Sequence, residues 1–147
     1  MDDFWDDLLK TSPIKLDIAK VKKIYLSKIS IDYEIMELVE KIKNNGYRLA
    51  IMANELKEAM DYKIRKFSLD KYFDRIYSSA HQKIPKPELE IYRHIIKDLG
   101  VKAEETLFID NKEKNLIPAQ NIGIQTILFK SQKELEEDLK KLGISCN

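Results

Sequence analysis

Asp110 ends a short apolar run, Leu107 to Ile109, and Asn111 follows it at once. A carboxylate and an amide at the tip of a buried strand are hard oxygen donors, placed where open α/β sheets bind their ligands. Lys86, directly before Pro87, supplies a cation. A second apolar run ends in Ala53-Asn54, where exposed backbone amides are expected. Acid, cation and amides are the parts of a magnesium-assisted phosphate site. Each part alone is weak, because a lone acid at a strand tip as readily caps its own loop.

The elements that must position these residues are legible from their period. Arg48 to Ala53 is a compact apolar run, after which Leu56, Met60, Ile64 and Phe67 recur at helical spacing. Arg75 to Ser78 is a second strand candidate and runs into a polar loop, Ser79 to Pro85. Pro87 opens a helix carrying Leu89, Tyr92, Ile95, Ile96 and Leu99, closed by Gly100. Beyond Leu107–Ile109, a helical face of Leu116, Ala119 and Ile122 ends at Gly123. Ile124 to Phe129 is a last strand, and Lys133 to Leu142 a last amphipathic helix. Strand and helix thus alternate from Arg48 onward. That order predicts right-handed crossovers and a three-layer, Rossmann-like α/β fold, a parallel sheet with helices on both faces.

The N-terminal part has a different character. Phe4, Trp5, Leu8 and Leu9 share one helical face, ended by Pro13, and Ile14 to Ile29 is helical by the spacing of Ile18, Val21 and Tyr25. Lys23 to Ser27 could instead form a short strand. Ser30 or Asp32 caps a third helix with Ile35, Leu38, Val39 and Ile42, stopped by Asn45-Gly46. Residues 1–30 therefore form a small helical appendage, and 31–147 the α/β core.

Composition narrows the function classes. The 147 residues fit one domain, and 26 basic against 25 acidic residues leave a net charge of +1. The lysines are scattered along helical stretches, which gives no electrostatic footprint for nucleic acid. No apolar run approaches the ~20 residues of a membrane span, and the acidic N-terminus is unlike a signal peptide. Cys146 is the single cysteine and can form no internal disulfide, which suits a cytoplasmic setting.

Order and surroundings make the motifs more specific, and they resemble those of the haloacid dehalogenase-like (HAD) hydrolases. Gly46 to Asn54 resembles that family's second motif, an apolar strand ending in Ser-Asn or Thr-Asn. Lys86-Pro87-Glu88-Leu89-Glu90-Ile91-Tyr92 resembles the third. Thr106 to Asn115, continuing through Ala119 and Gly123, resembles the fourth, in which a strand delivers Asp-Asp or Asp-Asn with an Asn one turn into the helix. The resemblance implies a phosphatase-like hydrolase acting on a small phosphorylated or halogenated substrate. It implies roles by position: Asp110 and Asn111 at a magnesium ion, Lys86 and Asp110 as catalytic residues, Ala53 and Asn54 at the phosphate.

Two departures stand against this. Ala53 replaces the hydroxyl of the second motif, and one such donor can be worth ~10²–10³ in rate. The family's first motif, a strand ending in Asp-x-Asp that carries the nucleophile, has no counterpart anywhere in the sequence. Asp2-Asp3 and Asp6-Asp7 are adjacent pairs on a helical pattern, and consecutive helical residues diverge by about 100°. Phe4-Trp5 resembles instead the middle of the family's helical cap. The chain reads as a family member that begins partway through its cap, with any magnesium bound weakly.

In the family the absent strand lies between the strands ending at Ala53 and Asp110, so its loss leaves backbone groups to satisfy. Three resolutions follow: the two strands pair directly, a stretch such as Ile24–Ser27 fills the slot, or another chain donates a strand. Three functional readings stay open with them: an active hydrolase, a non-catalytic binding domain that pairs with another chain, and part of an enzyme completed elsewhere. His81 and His94 read as solvated residues rather than site residues. Phe4 and Trp5 read as packing, or as a dimerisation patch if uncovered.

Overall fold

The computed structural model describes residues 4–146, with the backbone alone at His81 and Gln82. Helices α1 (Phe4–Thr11), α2 (Ile18–Ser27) and α3 (Tyr33–Asn44) precede the first strand, β1 (Ala50–Ala53). Helix α4 (Lys57–Phe67), strand β2 (Arg75–Ser78) and the short helix α5 (Ser79–Gln82) follow, then α6 (Leu89–Leu99). Strand β3 (Leu107–Asp110), helix α7 (Glu113–Gln120), strand β4 (Gln125–Leu128) and helix α8 (Gln132–Lys141) complete the order.

Local chemistry explains most of these boundaries. The carboxylate of Asp32 accepts the N–H groups of Glu34 and Ile35 and so starts α3, and Asp17 does the same for α2 through Lys20 N–H. Gly100 takes φ +62° and stops α6 in the left-handed region that favours glycine. Pro87 does not open α6 itself; the helix starts at Leu89, after a turn closed by Glu88 N–H to the Pro85 carbonyl. The expected loop after β2 begins with the single turn of α5. Lys23 to Ser27 lies in α2, so the strand alternative is not realised.

The fold is α/β, Rossmann-like, with parallel strands. β1 pairs with β2 in the register Ala50–Arg75 to Ala53–Ser78, and β3 with β4 from Leu107–Gln125 to Asp110–Leu128. Helices cover both faces. On one face Leu38 of α3 packs with Ile127 of β4 and with Leu135 and Leu139 of α8. On the other, Ile91 and Tyr92 of α6 and Ala119 of α7 pack with Met52 of β1 and Phe108 of β3. Leu107 faces the first core and Phe108 the second, as the two-residue period of a strand demands.

The ladder is interrupted. Among the described residues β1–β2 and β3–β4 are two separate two-stranded sheets, and β1 and β3 do not pair. Of the resolutions weighed from the sequence, direct pairing and a strand at Ile24–Ser27 are both absent here.

One carboxylate ties both appendage helices to α4. Glu58 of α4 accepts Trp5 Nε1–H at 2.6 Å and Lys22 Nζ at 2.7 Å, tying α1 and α2 to the same helix. Trp5 is buried, with Lys22 lying 5.3 Å over its ring, whereas Phe4 beside it is exposed.

Candidate functional site

The tips of β1 and β3 and the loop before α6 meet at one cleft. Met52, Ala53 and Asn54 line one side, Asp110, Asn111 and Asn115 the other, and Lys86 lies with them. All five residues singled out from the sequence thus share one cleft of about 310 Å³. Lys63, Lys112 and Glu55 line it too, so three lysines face two carboxylates and the cleft carries one net positive charge.

Lys86 is placed by its backbone. The Asn54 side chain donates from Nδ2 to the Lys86 carbonyl at 2.8 Å and accepts the Lys86 N–H at Oδ1, also at 2.8 Å. Both backbone groups of Lys86 are thereby satisfied by one amide 32 residues earlier, and the peptide to Pro87 is cis. Lys86 Nζ then lies 2.5 Å from Asp110 Oδ2 and 5.5 Å over the Phe108 ring. The two charged side chains are only 11% and 7% exposed.

Asp110 is saturated with donors. Its Oδ1 accepts Lys112 N–H at 2.9 Å and Asn115 Nδ2–H at 3.0 Å, while Oδ2 takes Lys86. Burial alone pushes this carboxyl up. The Lys86 ammonium, the Asn115 amide and the Lys112 N–H outweigh burial and hold it below the usual carboxylate range. Asp110 therefore caps its own loop and also pairs with the Lys86 ammonium.

Asn115 belongs to the site too; the motif places an asparagine one turn into the helix, but the sequence assigns it no role. It sits in the first turn of α7, where five residues of chain bring its amide back onto Asp110. Tyr92 fixes the same turn from below. Its hydroxyl donates to the Asn115 carbonyl at 2.6 Å, and burial, with the Asp110 charge second, pushes the phenol up to about 12. Lys63 was equally silent in sequence; it reaches the cleft from α4 and pairs with Glu55 at 2.7 Å. Asn111 lines the cleft as an exposed residue.

The other candidate acids lie elsewhere. Asp6 and Asp7 are exposed on α1 and do not line the cleft, and Asp2 and Asp3 lie outside the described residues, as does the His81 side chain. His94 is exposed on α6 against Tyr77. Among the described residues no three His, Cys, Asp or Glu side chains converge on one point. Asp110 has both oxygens engaged, one of them by an ammonium, so the described residues alone do not fit a magnesium site.

Fold and cleft define a Rossmann-like α/β domain with a charged cleft at its strand tips. The sequence pattern of the family described as haloacid dehalogenase-like hydrolase matches residues 6–129, and the chain belongs to that family. It is 34% identical over 95 residues to the sesquiterpene phosphatase astK of Aspergillus oryzae, a match covering 63% of this chain and 47% of that protein. It is 30% identical over 109 residues to the glyceraldehyde 3-phosphate phosphatase of Methanocaldococcus jannaschii, covering 72% of this chain and 47% of that protein. The chain thus spans about half the length of these curated relatives. Its fold is similar to that of the HAD family enzyme bt-2542 of Bacteroides thetaiotaomicron, solved in complex with magnesium and inorganic phosphate. There the TM-score is 0.79 at 24% identity, over 91% of this chain and 72% of that one.

Proposed function

We propose that this chain is the core of a phosphatase-type hydrolase and that the Lys86–Asp110 cleft receives the phosphate of a small phosphorylated molecule. The observation that carries the reading is the placement of Lys86, an ammonium nine-tenths covered, aimed at the strand tips and pinned by Asn54. An ammonium fixed before the ligand arrives stabilises a transferring phosphoryl group without reorganising. The lysine excess in the cleft favours a phosphate over a halogenated substrate, because a dianion gains more from it. The names of the two curated relatives and the phosphate bound by the solved one support the same class.

The remaining parts take roles by position. Backbone amides at Ala53-Asn54 cradle the phosphate oxygens, without the hydroxyl that Ala53 lacks. Asp110 holds Lys86 in place, and a magnesium ion at this rim would need oxygen ligands beyond Asp110 and Asn111. Residues 1–30 act as a partial cap over a core of 31–147. Phe4, Tyr25, Leu56 and Pro85 line a hollow of about 510 Å³ that shares Asn54 and Glu55 with the cleft, fitted to an apolar organic group on the phosphate.

Turnover needs more than the described residues supply. Covalent phosphoryl transfer starts from an activated nucleophile, and the cleft's two carboxylates, Asp110 and Glu55, are each engaged by a lysine. The isolated chain is therefore a binding-competent core without its first chemical step. A non-catalytic role, pairing with another chain, is favoured by the same observation.

Calorimetry with inorganic phosphate and hydrolysis of phenyl phosphate test this together. The wild type binds phosphate and Lys86→Gln loses about tenfold or more in affinity. Equal affinity in the two would remove the site. Turnover that disappears both in Asp110→Ala and without magnesium would show that a nucleophile exists in this chain and would overturn the binding-only reading.

A further inference from the structure

The hollow beside the cleft differs from it in charge. Phe4 and Tyr25 reach it from the appendage, Leu56 and Pro85 from the core, and Asn54 and Glu55 form the seam it shares with the cleft. Glu55 is the one charged group among the described residues that line the hollow. The cleft holds three lysines, and none of them lines the hollow. One end of the combined space is therefore cationic, and the other is apolar with a single carboxylate.

That carboxylate is fixed from two sides. Its oxygens both accept from Lys63 Nζ, at 2.7 and 2.8 Å, and the Glu55 N–H donates to Ser79 Oγ at 3.2 Å. The Glu55 side chain is only 16% exposed. Lys63 lines the cleft alone, so the negative end of the pair is the one the hollow meets. Each carboxylate oxygen keeps a lone pair for a ligand. The aromatic residues add to the same bias. Phe4 and Tyr25 flank Trp5, with ring centroids 5.0 and 5.8 Å from its own, and both stay partly exposed. Aromatic faces attract cations, most strongly where water is displaced. The same row of rings already carries one cation, the Lys22 ammonium 5.3 Å from the centre of Trp5.

We propose that the hollow binds an alkylated ammonium group, so that cleft and hollow together take the monophosphate of a short amino alcohol. The proposal rests on the preceding reading, in which the cleft receives the phosphate, and names the organic group attached to it. Charge complementarity selects the class: the anion goes to the lysines, the cation to Glu55 and the two rings. The shared seam of Asn54 and Glu55 keeps the linker between the two groups short.

Alkylation follows from the lining. A primary ammonium is strongly hydrated and brings three donors that must find acceptors. Beyond Glu55 the hollow offers few: the Asn54 amide is spent on Lys86, and Ser79 Oγ already takes the Glu55 N–H. A methylated ammonium instead presents carbon to Leu56, Pro85 and the rings, and needs only the opposite charge. A carboxylate or second phosphate in the same place meets Glu55 with like charge.

Titration calorimetry with phosphocholine and neohexyl phosphate, in which carbon replaces the quaternary nitrogen, isolates the charge at constant shape. Phosphocholine is expected to bind about tenfold or more tighter, and phosphoethanolamine and phosphoglycolate more weakly than phosphocholine. Choline alone should move the NMR signals of the Glu55 amide and the Trp5 indole. Glu55→Gln keeps the shape and removes the charge, and Tyr25→Leu removes a ring at an exposed position, with circular dichroism checking both folds. Each should bring the phosphocholine to neohexyl phosphate affinity ratio toward one; the ratio cancels any general effect of releasing Lys63. Equal affinity for the two isosteres, a ratio unchanged in both variants, or phosphoglycolate binding as tightly as phosphocholine would overturn the proposal. So would choline shifts confined to another surface. Inorganic phosphate, titrated beside them, reports the cleft alone. If it fails to bind while choline still moves Glu55, the phosphate reading falls and the ammonium site stays; the reverse removes the ammonium site only.

Discussion

The Asn54 side chain holds both backbone polar groups of Lys86, donating to its carbonyl and accepting its N–H at 2.8 Å each. One amide at the tip of β1 thus sets the position of the cation that faces Asp110 at the tip of β3. The two halves of the molecule, which share no ladder between β1 and β3, are registered at their functional end by this pair.

Asn54→Ala should therefore act on the cleft more than on the fold. Two partly exposed hydrogen bonds are lost, about 1–2 kcal/mol of stability by urea unfolding. Phosphate affinity should fall by more than that implies, because the ammonium is no longer aimed. Asn54→Asp keeps the acceptor for Lys86 N–H and loses the donor to its carbonyl, and should lie between the two. Identical phosphate affinity in all three proteins would show that Lys86 is held by something else.

The buried ion pair gives the chain a particular acid limb. The folded-state pKa of Asp110 is depressed, so its contribution is present above the unfolded value of about 3.9 and is lost as pH falls through the folded value. Asp110→Asn should remove that component from the stability–pH curve. At neutral pH it should also cost about 3–5 kcal/mol, because Lys86 is left covered without a counter-ion. A variant that tracks wild type from neutral pH to pH ~3 would place the pair in solvent. Asp110→Ala should abolish whatever weak magnesium binding titration calorimetry detects.

Trp5, the single tryptophan, reports on the appendage. Glu58→Gln retains a hydrogen-bond acceptor for the indole but loses the charge facing Lys22, whereas Glu58→Ala loses both. Fluorescence should shift to the red in the alanine variant, with a global stability loss within about 1 kcal/mol, since Glu58 is half exposed. Lys22, ahead of a smaller opposing effect of burial, holds the Glu58 carboxyl below its usual range. Protonating Glu58 removes the charge facing Lys22 but leaves an acceptor for the indole, so acidified wild type should resemble Glu58→Gln, and only below the ordinary carboxylate range. An unshifted spectrum in Glu58→Ala would mean that α1 is held by packing alone.

Tyr92→Phe removes one buried hydroxyl and leaves the Asn115 carbonyl without that donor. A cost of about 1–3 kcal/mol is expected, together with weaker phosphate binding through a displaced Asn115 amide. Because the phenol is pushed up to about 12, alkaline titration at 295 nm should show the missing tyrosine only above about pH 11. An earlier loss of signal would contradict its burial.

β1 and β3 were legible in this sequence because each lies on a short apolar run, and β2 and β4, less apolar, fall on the two remaining strand candidates. Helix phases were legible for the same reason, from Leu38 in α3 to Leu139 in α8, both buried. Boundaries followed local capping where a side chain sets them, as at Asp32 and Gly100, and drifted where it does not, as at Leu89. Lys86, Asp110, Asn111, Ala53 and Asn54 could be named from motif order because tips of parallel strands gather at one rim. What they do to each other could not. The amide clamp of Asn54 on Lys86 and the convergence of Asn115 and Lys63 join residues distant in sequence. No local period encodes such contacts, because they exist only once the helices have brought the two half-sheets together.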